Sequence, residues 1–188
     1  MIISSKLILD LNNKYGLIDN LSERENEPEG VGFDVRVGEI YSLEGQGYLG
    51  IEERKTPIAT KIASFPNDKS YILKPKEYVS VKTIESVNIP AKKIIIDEKL
   101  EPGFLMLDVY PRSTLHRSGV SLYATKTDPG YFGELTFGLE NIRSEDFKLD
   151  LGARIANLVF IYVTGEVNEY KGQWKGGRVF KSENEKQI

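Results

Sequence analysis

The 188-residue chain contains no cysteine and a single histidine, His116. The absence of cysteine excludes disulfides, thiolate metal sites and thiol nucleophiles together. One imidazole without cysteine partners also argues against a zinc deaminase of the usual ligand type. His116 is therefore interpreted as a surface residue of a helical turn.

An excess of one charge and long apolar runs are missing as well. The 25 basic and 28 acidic residues give a formal net charge of −3, so the chain lacks the basic footprint of a nucleic-acid-binding protein. No apolar run approaches the roughly 18 to 20 residues that span a bilayer, and no cleavage signal is visible. We expect a cytoplasmic protein with no nucleic-acid or membrane partner, in which local cations hold any anionic ligand.

Short stretches of alternating apolar and polar residues, separated by glycine and proline, dominate the chain. Residues 31–37, 78–84 and 104–109 alternate. Residues 158–163 form a nearly unbroken apolar run, typical of a strand that is buried on both faces or covered by a partner subunit. The spacing predicts a mainly β fold, either a barrel or a sandwich of jelly-roll type, with one amphipathic helix over residues 2–17.

The length and the 40% content of hydrophobic residues suit one domain. We expect a single domain over residues 1–188, with the N-terminal helix within 1–20 and a C-terminal arm and tail over 165–188. Residues 21–30 are polar and rich in turn formers, so they are predicted to be a loop. The last eight residues, 181–188, are predicted to be a mobile tail.

Cations and hydroxyls are concentrated in one short segment. Its six residues 112–117 supply two guanidiniums and two hydroxyls, a composition suited to several phosphate oxygens at once. The alternative is a solvated helical turn whose arginines make surface ion pairs. The candidate phosphate ligands are Arg112, Ser113, Thr114 and Arg117.

A β-hairpin is predicted directly after this segment. Residues 120–124 and 134–139 read as strands, and residues 128–133, with sequence DPGYFG, read as a tight connection between them. A hairpin of this kind can read the edge of a base with its backbone groups.

Five segments of the chain form an ordered set of motifs. They are GFDVRVG (32–38), PRSTLHRSGV (111–120), TDPGYFGEL (127–135), GARIANLVF (152–160) and EYKGQWKGGRVF (169–180). In this order they resemble the trimeric dUTPases and dCTP deaminases, with most likeness to the archaeal-type dUTPase branch. The N-terminal residues 4–18 are also similar to the helix of the deaminase branch. The resemblance implies a distorted jelly-roll-like β-barrel (dUTPase-like, β-clip) and a homotrimer with active sites between subunits.

The family divides by reaction, and two positions of this chain bear on the choice. By resemblance, Asp128 would activate the water that hydrolyses dUTP to dUMP and pyrophosphate. The alternative is that Asp128 only stabilises the turn before Pro-Gly. The deaminase branch carries a proton-shuttling glutamate ten residues further on, where this chain has Gly138. Glu140 lies about 6 to 7 Å beyond that position along a strand, and a bulge at Gly138 could restore its reach.

The resemblance also assigns the other ligands of the substrate. Backbone groups of Leu122, Tyr123 and Ala124 would read the base. The Tyr123 ring would either stack on the base or pack in the core or in an interface. Asn157 stands where the family usually shows glutamine, and its amide would keep a polar contact or use water. In the arm, Lys175 and Arg178 would meet phosphate, and Phe180 or Trp174 could cover the base, as in a closing lid.

Magnesium is the implied cofactor. Mg²⁺ keeps several waters and substrate phosphates as ligands, so a buried all-protein cage is not expected. Asp34 resembles the family residue that touches metal-bound water. The alternative is a structural Asp34 with Arg36 as its ion-pair partner.

Three functions therefore stay open at this point. The leading one is a dUTP diphosphatase. The second is a dCTP deaminase, alone or bifunctional, with Glu140 as a displaced proton shuttle. The third is a catalytically silent nucleotide-binding regulator, against which the intact Asp128 argues. Glu134 follows Gly133 where dUTPases often carry an acidic residue, but an exposed strand carboxylate explains it equally well.

Overall fold

A computed structural model describes residues 1–181 and 185–186. The predicted N-terminal helix is present as α1, Ser5–Tyr15. The Ser4 hydroxyl accepts a hydrogen bond from the Leu7 N–H at 3.3 Å and so caps the first turn. The helix ends at Gly16, which has the left-handed φ of +60° that glycine adopts without strain. It is shorter than residues 2–17 because Ile2 pairs with Ile161 as an isolated bridge.

The rest of the chain is mainly strand, as the alternating pattern predicted. A 3-10 helix spans Glu23–Asn26, and a short helix α2 spans Ser113–Arg117. The strands are β1 (Ile18–Asp19), β2 (Gly32–Glu44), β3 (Tyr48–Leu49), β4 (Glu53–Lys55), β5 (Ile58–Ser64), β6 (Ser70–Leu73), β7 (Tyr78–Asn88), β8 (Phe104–Pro111), β9 (Val120–Tyr123), β10 (Phe132–Asn141), β11 (Phe147–Asp150), β12 (Arg154–Val163) and β13 (Glu185–Lys186).

The main sheet is nearly a closed barrel. Its strand order is β8-β12-β2-β7-β10-β9, with β1 beside β7 and β5 beside β2. The long strand β2 pairs with β12 through its first half and with β7 and β5 through its second half. Its register with β7 shifts between Val37 and Glu39, and Gly38 lies at this irregularity. A bridge between Leu107 and Thr127 then joins the β8 edge to the segment that follows β9.

Apolar side chains from the alternating strands fill the barrel. Phe33 of β2 and Phe160 of β12 are fully buried and meet edge to face, with ring centroids 6.2 Å apart. The predicted apolar run 158–163 forms the C-terminal part of β12, which has hydrogen-bonded neighbours on both edges. The expectation of a mainly β, barrel-like fold with one short N-terminal helix is confirmed.

Several local features differ from the sequence-based expectation. The predicted loop 21–30 contains the 3-10 helix, and within it Glu25 is only 1% exposed. The predicted mobile tail 181–188 lies mostly outside the described residues, but Glu185 and Lys186 pair with Arg54 and Glu53 of β4. In the part of the chain that the structure describes, no helix is long and apolar enough to cross a membrane.

Candidate active site

The turn that carries Asp128 is held by backbone hydrogen bonds on both sides. Leu107 and Thr127 exchange two N–H···O bonds of 3.0 and 2.9 Å. On the other side, the Gly130 N–H donates to the Ile89 carbonyl, and the Ile89 N–H donates to the Tyr131 carbonyl, both at 2.8 Å. Gly130 has φ +91°, which the turn requires and which glycine tolerates. The fold therefore fixes Asp128 at the seam where the barrel closes.

Asp128 faces an open cleft of about 520 Å³. Its side chain is 38% exposed and contacts the Lys126 ammonium through Oδ1. Burial raises the pKa of Tyr131, which lines the same cleft, to about 12. The other walls combine aromatic and polar groups from β10 and the C-terminal arm, among them Thr136, Phe137, Tyr170, Trp174 and Arg178.

The C-terminal arm packs against the Asp128 turn of its own chain. The Tyr170 N–H donates to the Pro129 carbonyl at 2.8 Å, and the Gly176 N–H donates to the Phe132 carbonyl at 2.7 Å. A Cβ atom on Gly133 would clash with the Gly177 backbone, so this close approach needs glycine. Arm residues thus form one wall of the Asp128 cleft.

The residues of the C-terminal arm that were predicted to contact the substrate do not all lie at the Asp128 cleft. Arg178 and Trp174 line the Asp128 cleft, but Phe180 is not among the residues that line it. The Lys175 ammonium makes an ion pair of 2.9 Å with Glu169, and this contact lowers the pKa of the Glu169 carboxyl.

The predicted phosphate ligands follow directly after the C-terminal end of β8. Arg112 immediately precedes α2, and its N–H donates to the Ile155 carbonyl of β12 at 2.9 Å. Ser113, Thr114 and Arg117 are exposed on α2, as is His116, which agrees with its interpretation as a surface residue. A second cleft of about 280 Å³ includes Arg112, Thr114, Lys148 and Arg154 in its walls.

Asp34 is buried at the centre of a polar cluster. The whole residue is only 4% exposed. Its Oδ2 atom contacts three guanidiniums, those of Arg112, of Arg154 at 2.9 Å and of Arg24 at 3.5 Å. Asn157 lies directly opposite Asp34 in the register of β12 and β2, and its side-chain amide donates to Oδ1 at 3.1 Å.

The pairing of Asp34 with Arg36 that the sequence suggested is wrong. The Arg36 Nε donates to the carboxylate of Glu85 at 2.6 Å, and its Nη2 donates to the Asn20 carbonyl. Asp34 and Arg36 are two residues apart on β2 and take different partners. The sequence alone could not show that Glu85 is the acidic partner of Arg36, because the two residues lie 49 positions apart.

Arg24 and Arg154 are polar-cluster residues that sequence reasoning missed. Arg154 lies within the segment GARIANLVF, where only the amide of Asn157 was selected. Arg24 comes from a polar stretch with no periodic signal.

A protein cage for a metal ion is not found among residues 1–181 and 185–186. No group of three or more His, Asp or Glu side chains in these ranges is arranged to hold an ion.

The predicted base-reading segment lies at the end of β9. Leu122 is half-buried, while Tyr123 and Ala124 are exposed. The Tyr123 hydroxyl donates to the Glu140 carboxylate at 2.5 Å, and this contact raises the pKa of the Tyr123 phenol. The Tyr123 ring packs against Tyr78, with centroids 6.0 Å apart.

Gly138 lies opposite Tyr123, and the space beside it is filled. A Cβ atom at residue 138 would clash with the Tyr78 hydroxyl and ring. The pairing of β10 with β7 runs without interruption from Thr136 to Glu140, and its one irregularity lies earlier, between Glu134 and Thr136. The bulge that would bring Glu140 into the place of residue 138 is therefore not present in these strands.

Asp128 and Arg112 lie in the walls of two different clefts of one chain. The residues that line the Asp128 cleft and those that line the Arg112 cleft form two different sets. Glu134, which sequence reasoning left open, is half-buried, and its carbonyl accepts the Tyr131 hydroxyl at 2.7 Å. The geometry offers a carboxylate with an aromatic cleft at one place and a cluster of guanidiniums at the other.

A family model for dCTP deaminase-like proteins matches residues 2–163. The chain belongs to this family. It is 30% identical over 172 residues to a deoxyuridine 5′-triphosphate nucleotidohydrolase of Methanocaldococcus jannaschii, covering 90% of this chain and 99% of the relative. It is 29% identical over 163 residues to a dCTP deaminase of Thermococcus kodakarensis, covering 86% of each.

A solved structure also supports the fold. A crystal structure of the 2′-deoxycytidine 5′-triphosphate deaminase from Agrobacterium tumefaciens superposes with a TM-score of 0.61 at 14% identity. The match covers 85% of this chain and 46% of that chain. Family members are enzymes of two kinds, dUTPases and dCTP deaminases, and the similarity in sequence is nearly equal for both.

Proposed function

We propose that this protein is a dUTP diphosphatase that hydrolyses dUTP to dUMP and pyrophosphate. The observation that carries the proposal is the environment of residue 138. Glycine has no group that can move protons, and Tyr78 occupies the space that a side chain would need. Asp128, by contrast, is held in place at an accessible cleft. The deaminase chemistry thus lacks its proton shuttle, whereas the hydrolase chemistry keeps its base.

Asp128 acts as the general base in this proposal. The oxygen of a water molecule attacks the α-phosphorus, the bond from that phosphorus to the bridging oxygen breaks, and pyrophosphate leaves. The proton of the water passes to the Asp128 carboxylate. Phosphoryl chemistry of this kind depends mainly on positioning and on neutralising charge. Arg112, Ser113, Thr114 and Arg117 serve this purpose at the phosphates.

The base is read by the backbone of residues 122–124 at the end of β9. Uracil and cytosine differ in donor and acceptor pattern at N3 and position 4, so the wrong base leaves polar groups unpaired in a dry pocket. Trp174 and Arg178 already line the Asp128 cleft, which supports a role for the arm as a lid over the substrate. Lys175 would join them after leaving Glu169.

We propose Mg²⁺ as the cofactor. The ion would bind to the triphosphate of the substrate and neutralise part of its negative charge. Among the described residues no group of three or more His, Asp or Glu side chains is arranged to hold an ion, so the substrate phosphates would supply most ligands of Mg²⁺ and Asp34 would contact the ion through a bound water. Every protein contact in this mechanism is therefore made to nucleotide or water.

We further propose a homotrimer whose active sites lie between subunits. The support is that Asp128 and Arg112 line different clefts of one chain. One substrate must contact both residues if Arg112 holds its phosphates and Asp128 activates its water. A second copy of the chain can bring its Asp128 cleft to the Arg112 cleft of the first.

The decisive experiment separates the two reactions of the family. The protein is incubated with dUTP and with dCTP in separate reactions, and the nucleotide products are resolved by chromatography. We expect dUMP and pyrophosphate from dUTP, and unchanged dCTP. Formation of dUTP or dUMP from dCTP would reject the pure hydrolase and favour a deaminase that uses Glu140. Binding without turnover of either nucleotide would favour the regulator.

A further inference from the structure

We propose that Lys126 is a positioning residue of the active site. Its ammonium holds one oxygen of the Asp128 carboxylate, Oδ1, and so leaves the other oxygen, Oδ2, to take the proton of the attacking water. The inference rests on the proposed hydrolysis of dUTP and adds a residue to it. Lys126 directly precedes the segment TDPGYFGEL (127–135) and was not among the residues predicted from the sequence.

The local backbone brings the side chains of Lys126 and Asp128 to the same side. Thr127 lies between them, is only 7% exposed, and exchanges two backbone hydrogen bonds with Leu107. Successive side chains of an extended segment point to opposite faces, so the burial of Thr127 sends both of its neighbours to the accessible face. Both line the Asp128 cleft. The barrel closure that fixes Thr127 therefore also fixes this pair.

The Asp128 carboxylate has one oxygen that is held and one that is open. The Lys126 ammonium contacts Oδ1, whereas Oδ2 accepts no hydrogen bond from residues 1–181 or 185–186. Each oxygen of an ionised carboxylate has about two acceptor sites, so Oδ2 keeps the capacity to accept a hydrogen bond from water. The Asp128 side chain is 38% exposed, which lets water reach it from the cleft.

The other polar groups of the cleft do not hold Asp128. Arg178 lines the same cleft, but it makes no ion pair within the part of the chain that the structure describes. The Tyr131 hydroxyl donates to the Glu134 carbonyl at 2.7 Å. Lys126 is thus the cation that belongs to the carboxylate, and Arg178 stays available for an anionic ligand.

The contact with Lys126 matters for orientation more than for stability. The Lys126 side chain is 55% exposed, and ion pairs of exposed side chains are typically worth about 0 to 1 kcal/mol. The terminal torsion of an aspartate has only a broad preference, so the ammonium defines the plane of the Asp128 carboxylate. A misplacement of about 1 Å can lower the rate of a reaction about 100-fold. A general base without this contact would therefore act more slowly.

Steady-state hydrolysis of dUTP and binding of a non-hydrolysable dUTP analogue test this role together. Lys126→Met removes the ammonium and keeps an unbranched side chain. Its kcat should fall about 10- to 100-fold, while its dissociation constant for the analogue should stay within about threefold of the wild type, a difference below 1 kcal/mol. Lys126→Arg keeps a cation with several N–H donors and should recover part of kcat. Lys74→Met, which breaks an exposed pair with Asp146, is the matched control and should behave like the wild type.

Two results would overturn the inference while the wild type still hydrolyses dUTP. A kcat of Lys126→Met equal to that of Lys74→Met would show that Asp128 needs no positioning group. An analogue affinity that falls about tenfold or more in Lys126→Met would assign this residue to substrate binding instead, whatever the change in kcat.

The contact itself has a readout that does not need turnover. Reductive methylation with isotope-labelled formaldehyde gives each lysine an NMR signal, and the Lys126 signal is identified by its absence in Lys126→Arg. This signal should shift in Asp128→Asn and stay in place in Asp146→Asn. An unchanged Lys126 signal in Asp128→Asn overturns the inference even if dUTP is hydrolysed. A shifted signal in a protein that does not hydrolyse dUTP confirms the contact, but the proposed function then fails and the role of the contact in catalysis fails with it.

Discussion

The Tyr78 hydroxyl lies where the side chain of residue 138 would begin, and residue 138 is glycine. The two positions are on adjacent strands, β7 and β10, and Tyr78 also packs against Tyr123 on the far side of β10. A phenol thus fills the volume beside residue 138, where the resemblance to the deaminase branch predicts a proton-shuttling glutamate. The lack of a side chain at residue 138 and the presence of the Tyr78 ring are one structural feature.

Gly138→Ala should therefore destabilise the protein through Tyr78. The new methyl group displaces the half-exposed phenol and costs its contact with Tyr123, which is worth about 0.5 to 1.5 kcal/mol. Denaturant unfolding at fixed protein concentration measures this loss. In a Tyr78→Ala background the same substitution should cost little. An equal loss in both backgrounds would contradict the coupling.

Asp128→Asn tests the proposed base. The amide cannot accept the proton of the attacking water, so kcat should fall by about 10²- to 10⁴-fold. The dissociation constant of a non-hydrolysable dUTP analogue should change little, because the phosphate ligands remain. Asp146→Asn, an exposed carboxylate paired with Lys74, is the control. Retained turnover in Asp128→Asn would reject this residue as the base.

Mixing two inactive variants tests the shared site. Asp128→Asn keeps the proposed phosphate ligands, and Arg112→Ala keeps the proposed base. If the protein is the proposed trimer, a mixed trimer contains some sites with both intact residues. Random mixing in equal amounts should restore activity at about a quarter of the sites. Activity is assayed after the chains are unfolded and refolded together. A mixture that stays as inactive as each variant alone would place both residues of a site on one chain.

The buried pair of Arg36 and Glu85 should dominate the electrostatic stability. The Glu85 side chain is fully buried, and Arg36 meets it at 2.6 Å. Arg36→Met leaves the buried Glu85 carboxylate without its cation, so the free energy of unfolding should fall by about 3 to 5 kcal/mol. Lys74→Met breaks the exposed pair with Asp146 and should cost less than about 1 kcal/mol. Similar losses in the two variants would argue against the burial of Glu85.

Glu39 should contribute to stability above mildly acidic pH. Burial alone raises its pKa, but hydrogen bonds from Lys82, Tyr41 and Lys61 outweigh burial and lower it from 4.5 to about 2. A lowered folded-state pKa stabilises the fold above the unfolded value, and this contribution is lost as pH falls from 4.5 towards 2. Thermal unfolding across this range should show a shallower acid loss in Glu39→Gln. Parallel profiles for both proteins would contradict the assignment.

The sequence predicted the class of fold well because alternation is a local property. Strands β2, β7, β8 and β12 were all identified, although each extends beyond the predicted range. The short strands β3, β4 and β6 gave no clear pattern, since two to four residues are too few for a period to appear. The α1 boundaries also differed, because Ile2 is drawn to β12 by a contact 159 positions away in sequence.

The sequence by itself determined the chemical inventory: a segment in which arginine and hydroxyl side chains are concentrated, a D-P-G turn with its carboxylate, and a glycine at residue 138. Only the tertiary structure decided how these groups meet. In the folded chain Asp34 pairs with Arg112 and Arg154, Arg36 pairs with Glu85, and the Tyr78 ring lies beside Gly138. Pairing across strands depends on register and barrel closure, and these are set by long-range packing that local patterns do not contain.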